Sequence, residues 1–186
     1  IQEKLSVLAN TMDNAETVSQ EQLDKEKKNV SLVDYKMVTF SLAGKDYGID
    51  IMKVKEIVKA GHFTYVPNTL PFVRGVYNLR GDIIPIIDLH RRFNINMDNG
   101  EPEFDELESG FVILKILDIQ IGIIIDKVSR VVSVNFDEIQ EPPQMMSGIG
   151  NEYIKGVVRN SDNYLIVLDT IKLFDPKELQ KIIPAK

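Results

Sequence analysis

The sequence contains one segment twice. Tyr47–Ala60 aligns without a gap to Ile121–Val134, and six of the fourteen positions are identical: Gly48/Gly122, Ile49/Ile123, Ile51/Ile125, Lys53/Lys127, Val54/Val128 and Val58/Val132. Further matches keep the same order: Val73-Arg-Gly-Val76 with Ile154-Lys-Gly-Val157, Ile86-Ile-Asp88 with Val167-Leu-Asp169, and Phe93 with Phe174. A repeat constrains the fold more than any motif does, because each copy must fold alike and bury its apolar face against the other. A unit of about 60 residues buries too little surface to be comfortable alone, so the two copies are expected to share a core. The apolar runs Val38–Leu42, Ile83–Leu89, Phe111–Leu117, Ile121–Ile125 and Tyr164–Leu168 are strand-sized and bounded by Gly, Asp, Asn or Pro. The expected fold class is therefore mainly all-β: two pseudo-symmetric five-stranded SH3/OB-like β-barrels, one per copy, around a common core.

The chain divides accordingly. Residues 1–36 are rich in Glu, Gln, Asn, Asp, Lys and Ser, with Leu5, Leu8 and Met12 at helical spacing. They read as a short amphipathic helix followed by a disordered linker, or as a docking helix. Residues 37–93 form the first barrel repeat and 111–176 the second. Between them, residues 94–110 form an acidic connector (Asp98, Glu101, Glu103, Asp105, Glu106, Glu108) expected as a solvated loop, with Phe104 and Leu107 as its apolar anchors. Residues 177–186 close the chain as a short helical tail.

Charge and composition narrow the function. A net charge of -6 lacks the basic surface on which nucleic-acid binding rests, so protein partners are the simplest expectation. No apolar run approaches the roughly 20 residues needed to span a bilayer, and no signal peptide is visible. A cytoplasmic location without direct membrane insertion is expected. The sequence has no Cys, which removes disulfides and thiolate metal sites. His62 and His90 stand at no metal-ligand spacing and read as surface or satisfied residues, so neither a metal nor a cofactor is expected. Gly148-Ile-Gly150 reads as a turn after Pro142-Pro143, without the longer phosphate-cradling pattern.

One arrangement invites a catalytic reading. Asp88 and Asp169 are repeat mates at the ends of apolar strands, and two carboxylates across a pseudo-dyad can share a proton, as in aspartic proteases. That reading requires the two carboxyl groups to lie within hydrogen-bonding reach. However, Asp169-Thr170 is followed by Ile171 rather than Gly, and the first copy reads Asp88-Leu89-His90, so both lack the tight glycine turn that aims such groups. The alternative is a strand-end Asp capping the helical turn that follows. No catalytic residue is assigned.

The segment Pro71-Phe-Val-Arg-Gly-Val-Tyr-Asn-Leu-Arg-Gly-Asp-Ile-Ile-Pro-Ile-Ile-Asp-Leu89 resembles the signature of the CheW family of chemotaxis coupling proteins, as do Tyr47–Ile57 and Val128–Val134. The resemblance runs from about Tyr35 to Pro176. It implies a non-enzymatic adaptor with a hydrophobic groove between its barrels for the cytoplasmic tip of a methyl-accepting chemoreceptor. A second surface would meet the regulatory domain of a chemotaxis histidine kinase. Such a protein is cytoplasmic and recruited to membrane-bound chemoreceptor arrays through its partners. Carried over by position, the groove residues are Val38, Ile51, Val54, Ile57, Val128 and Val131, although ordinary barrel core accounts equally well for any one of them. The kinase face is placed at Thr64, Val66, Asn68 and Leu70 with Glu56 and Arg80, the last two expected to pair. The departures are Thr69-Leu70 before Pro71, Tyr77 at a position usually smaller or aliphatic, and the longer N-terminal extension. A coupling module of a larger kinase or receiver-bearing adaptor is the alternative within the family.

Overall fold

The computed structural model describes residues 34–95, 109–144 and 150–182. The readings of the N-terminal extension up to residue 33, of most of the acidic connector and of the turn at Gly148 lie outside these residues. In chain order the strands are β1 (Asp34–Leu42), β2 (Lys45–Asp50), β3 (Val54–Lys59), β4 (Val73–Leu79), β5 (Asp82–Asp88), β6 (Gly110–Ile116), β7 (Ile119–Ile125), β8 (Lys127–Asn135), β9 (Ile154–Asn160) and β10 (Asn163–Leu168). Among the described residues three α-helices accompany them: α1 (Leu89–Arg92), α2 (Thr170–Leu173) and α3 (Pro176–Ile182).

The strands form two five-stranded sheets, ordered β8-β1-β2-β10-β9 and β3-β6-β7-β5-β4. Replacing every strand of the first order by its repeat mate gives the second, so the duplication read in the sequence is a structural pseudo-symmetry. The expected assignment of one barrel to each copy is corrected on two counts. Each sheet mixes strands of both copies, two from one and three from the other. Neither sheet closes on itself, since its outer strands, β8 and β9 or β3 and β4, are not laddered to each other. Periodicity counts strands and gives their faces, but says nothing about which partner each one finds.

The copies meet at four pairings: antiparallel β1 with β8 and β3 with β6, and parallel β10 with β2 and β5 with β7. The two parallel ladders share one pair of repeat mates, Val167 opposite Gly48 and Ile86 opposite Gly122. A Cβ at Gly122 would stand 2.6 Å from Ile86 Cδ1, and one at Gly48 would stand 3.3 Å from Met37 Sδ. The shared glycines leave room there for large aliphatics on the neighbouring strands.

Strand alternation divides the apolar residues between the two faces of each sheet. One face of both sheets contributes to a single shared core that includes Phe40, Tyr47 and Ile49 with Val112, Leu114, Ile121, Ile123 and Ile125. On the opposite faces lie two smaller cores, around Ile84, Ile86, Phe111 and Ile113 in one sheet and around Met37, Val134, Leu165 and Val167 in the other. Leu179 and Ile182 of α3 cap the shared core. Arg92 ties α3 to α1: its guanidinium lies 4.3 Å from the Phe72 ring centroid and 5.0 Å from that of Tyr153, and Nη2 donates to Glu178 Oε2 at 2.6 Å.

Each open sheet is tacked by one short bridge, again at mates. Thr64 exchanges two 2.8 Å backbone hydrogen bonds with Val76, and Gln140 does the same with Val157. The close approach requires the preceding residues, Gly75 and Gly156, to lack a side chain. A Cβ on Gly75 would run into the Thr64 carbonyl, and one on Gly156 would stand 2.8 Å from Gln140 O. We expect Gly75→Ala and Gly156→Ala each to lower stability by about 1–3 kcal/mol, the usual cost of overpacking against backbone. Chemical denaturation midpoints check this, and wild-type values for both would remove the steric role.

Candidate functional site

The edge strands β3 and β8 carry four of the six positions expected to line a groove. Both are bulged at corresponding places: the β3–β6 register slips between Val54 and Glu56, and the β1–β8 register slips between Val38 and Phe40, opposite Val128–Val131. A bulge re-aims side chains on an edge. Val54 and Val128 are half-buried and pack against the shared core. Val128 reaches from its own sheet to the other, with Cγ2 3.6 Å from the Cβ position of Gly110. Ile57 and Val131, also repeat mates, are 39% and 54% exposed. Ile51 is half-buried in the 3₁₀ turn Ile51–Lys53, which Asp50 caps by accepting from Met52 N. Val38 faces Val131 in register but is only 3% exposed, so it is interior packing beneath that surface and offers no contact of its own.

The second set falls on the loop after β3 and on the β4–β5 hairpin. Thr64 and Asn68 are exposed, whereas Val66 is half-buried and Leu70 packs onto the shared core. The loop holds itself through Thr69 Oγ1 donating to Val66 O at 3.3 Å and Val73 N donating to Leu70 O at 2.9 Å. Arg80 and Gly81 form the two-residue hairpin turn, with φ of 52° and 94°, both values in the left-handed region such tight turns use. From there Arg80 reaches Glu56 on β3 and forms the expected ion pair. The pair joins the two outer strands of its sheet across the open seam. Sequence reasoning missed Met52 and Tyr65, which are 83% and 72% exposed. Apolar patterning assigns such residues to the core, and only the coordinates turn them outward.

Asp88 and Asp169 act as caps. Asp88 Oδ1 accepts from His90 N at 2.9 Å, and Asp169 Oδ1 accepts from Ile171 N at 3.0 Å and Lys172 N at 3.2 Å. Among the described residues no hydrogen bond joins the two carboxylates, and no group of three or more His, Asp or Glu is arranged to hold a metal ion. His90 is buried between two carboxylates, with Nδ1 3.2 Å from Asp88 Oδ1 and Nε2 3.2 Å from Asp126 Oδ1. Arg74 and Arg91 also face Asp88, at 3.5 and 3.6 Å. Asp126 Oδ2 accepts from Ala43 N at 2.8 Å, so the cluster ties α1, the β7–β8 corner and the β1–β2 turn together. Burial alone would push the imidazole down, but hydrogen bonds and charge from Asp126 and Asp88 outweigh it and raise His90 to about 9. Both carboxyls are held below their ordinary range: burial raises them, and His90 together with their other donors outweighs it. A histidine protonated throughout the neutral range is a structural cation and a poor general base.

Two of these interactions give measurable expectations. His90 binds its proton more tightly folded than unfolded, so its contribution is full below about pH 6.5 and is lost as pH rises through about 9. The loss is on the order of 3 kcal/mol. His90→Leu should flatten the alkaline limb of the denaturation midpoint against pH, and an unchanged limb would assign that slope elsewhere. The Glu56–Arg80 pair has an arginine side chain that is 70% exposed. A double-mutant cycle with Glu56→Ala and Arg80→Ala should therefore return a coupling of about 1 kcal/mol or less.

Comparison with known proteins agrees with this geometry. The CheW-like domain family matches residues 36–178. The chain is 51% identical to the protein named chemotaxis protein CheW of Treponema pallidum (strain Nichols), over 80% of this chain and 86% of that one. It is 32% identical to the chemotaxis protein CheW of Bacillus subtilis (strain 168), over 80% and 92% respectively. The crystal structure of the scaffolding protein TtCheW from Thermoanaerobacter tengcongensis superimposes with a TM-score of 0.68 at 35% identity, covering 78% of this chain and 91% of that one. The chain belongs to the CheW-like domain family.

Proposed function

We propose that this protein is a chemotaxis coupling scaffold that joins the cytoplasmic tips of methyl-accepting chemoreceptors to the regulatory domain of a chemotaxis histidine kinase, without chemistry of its own. The observation that carries the reading is the placement of Val54 with Ile57 and Val128 with Val131 as mates on two edge strands, one in each sheet. The inner member of each pair is anchored on the shared core and the outer one is exposed. Half-anchored aliphatics of this kind suit an amphipathic helix, which docks through apolar anchors spaced along one face. Names borne by relatives, chemotaxis protein and scaffolding protein, support the same role.

The kinase surface in this reading is the hairpin turn at Arg80 with Glu56 and the exposed part of the neighbouring loop, Thr64, Tyr65 and Asn68. Val66 and Leu70 hold that loop from beneath. A scaffold of this kind works in the cytoplasm and reaches the membrane-bound array through its partners. Among the described residues no helix is long and apolar enough to cross a membrane.

The test is a pull-down of a receptor signalling fragment and the kinase by wild type, Ile57→Asp, Val131→Asp and Val54→Asp. The first two alter exposed side chains and should leave folding intact. A charge at a groove centre should weaken receptor capture by roughly 30-fold or more, the effect of losing an interface anchor. Kinase capture should be far less affected. Undiminished receptor capture by both exposed-site variants sinks the groove assignment.

A further inference from the structure

The two open seams differ in charge although their strands are mates. In the sheet β3-β6-β7-β5-β4 the seam is stapled by the carboxylate of Glu56 on β3 and the guanidinium of Arg80 at the β4–β5 turn. In the other sheet Arg130 occupies the place of Glu56 on β8, and Ser161 occupies the place of Arg80 at the β9–β10 turn. Ser161 repeats the backbone of Arg80, with φ of 50°. The second seam thus has no staple. A cleft of about 290 Å³ opens along it, lined by Arg130 and Ser133 of β8 and by Arg159, Asn163 and Tyr164 of the facing hairpin.

The cleft sets Arg130, Arg159 and other polar side chains around an apolar floor of Val132, Val134, Val158 and Leu165. Arg130 and Arg159 have no ion-pair partner among the described residues. Two carboxylates also line the cleft, each with one neutral donor and neither within ion-pair distance of an arginine among the described residues: Glu138 Oε2 accepts from Asn135 N at 3.1 Å, and Asp46 Oδ1 accepts from Ser41 Oγ at 3.4 Å. We propose that the open seam is a docking cleft for a protein partner that presents a glutamate or aspartate beside an aliphatic residue. Arg130 and Arg159 take the carboxylate and the valine-leucine floor takes the aliphatic neighbour. Guanidinium groups suit this role because they bind carboxylates through two parallel hydrogen bonds. The site is separate from the groove of Val54 and Val128 and does not depend on the scaffold reading.

The experiment titrates the isotope-labelled full chain with the terminally blocked tripeptide Ile-Glu-Val, its Ile-Gln-Val counterpart and sodium acetate, following backbone amides by NMR. The glutamate peptide should shift the amides of residues 129–133 and 159–164 saturably. The glutamine peptide should bind about fivefold more weakly, the loss expected for one exposed charge pair. Arg130→Ala with Arg159→Ala should abolish the effect, and unchanged amides in the shared core certify that this variant is folded. Each of four results overturns the proposal: no saturable shifts, equal binding of the two peptides, shifts confined to other strands, or acetate reproducing the pattern at the same concentration.

Discussion

The exchange of strands between the copies, through two antiparallel and two parallel pairings, is the constraint on which the rest of the structure depends. Because β2 pairs with β10 and β5 with β7, each sheet is completed by the other copy. Neither copy can therefore present a full sheet alone, and each of the two sheets spans the repeat. The glycines opposite Ile86 and Val167 let this happen at close range, and the shared core follows from it. Its members Phe40, Tyr47, Ile121 and Ile123 come from sheets that are already mixed. The cost of ordering so many sequence-distant residues is offset by one continuous apolar interior instead of two marginal ones.

The pseudo-symmetry extends to detail but stops where partners would act. The Thr64–Val76 and Gln140–Val157 bridges, the Asp88 and Asp169 caps and the left-handed turn residues Arg80 and Ser161 are all mates. These positions are set by backbone geometry, which tolerates few alternatives. Several side chains at matched positions have diverged. Glu56 is matched by Arg130, and Arg80 by Ser161. His90, buried against Asp126, is matched by Ile171, which is 64% exposed. Duplicated geometry with divided chemistry gives one small domain several unlike surfaces, as a scaffold needs.

Much of this is legible in the amino-acid sequence. The repeat carries the strand count, the positions of both Asp caps and the equivalence of Val54 with Val128. The Glu56–Arg80 pair follows from two charges standing in apolar stretches. The positions expected to line a groove are less even: Ile57 and Val131 on edge strands are exposed, but Val38, on the inner strand β1, is buried. Met52 and Tyr65 give no sign of their exposure, since an apolar side chain in a short segment carries no mark of the direction in which it turns.

The sequence by itself determined that the chain is a duplicated, mainly β unit of the CheW type, because period-two alternation, turn residues and repeated glycines are local properties that each copy carries. Only the tertiary structure decided that the copies trade strands, that both sheets stay open, and that one seam is stapled while the other is an arginine-lined cleft. Those outcomes rest on contacts such as Gly122 with Ile86 and Glu56 with Arg80, between residues distant in sequence. Alternation along one strand specifies which face is buried, whereas the choice of neighbour depends on how the whole set of strands fills the shared interior.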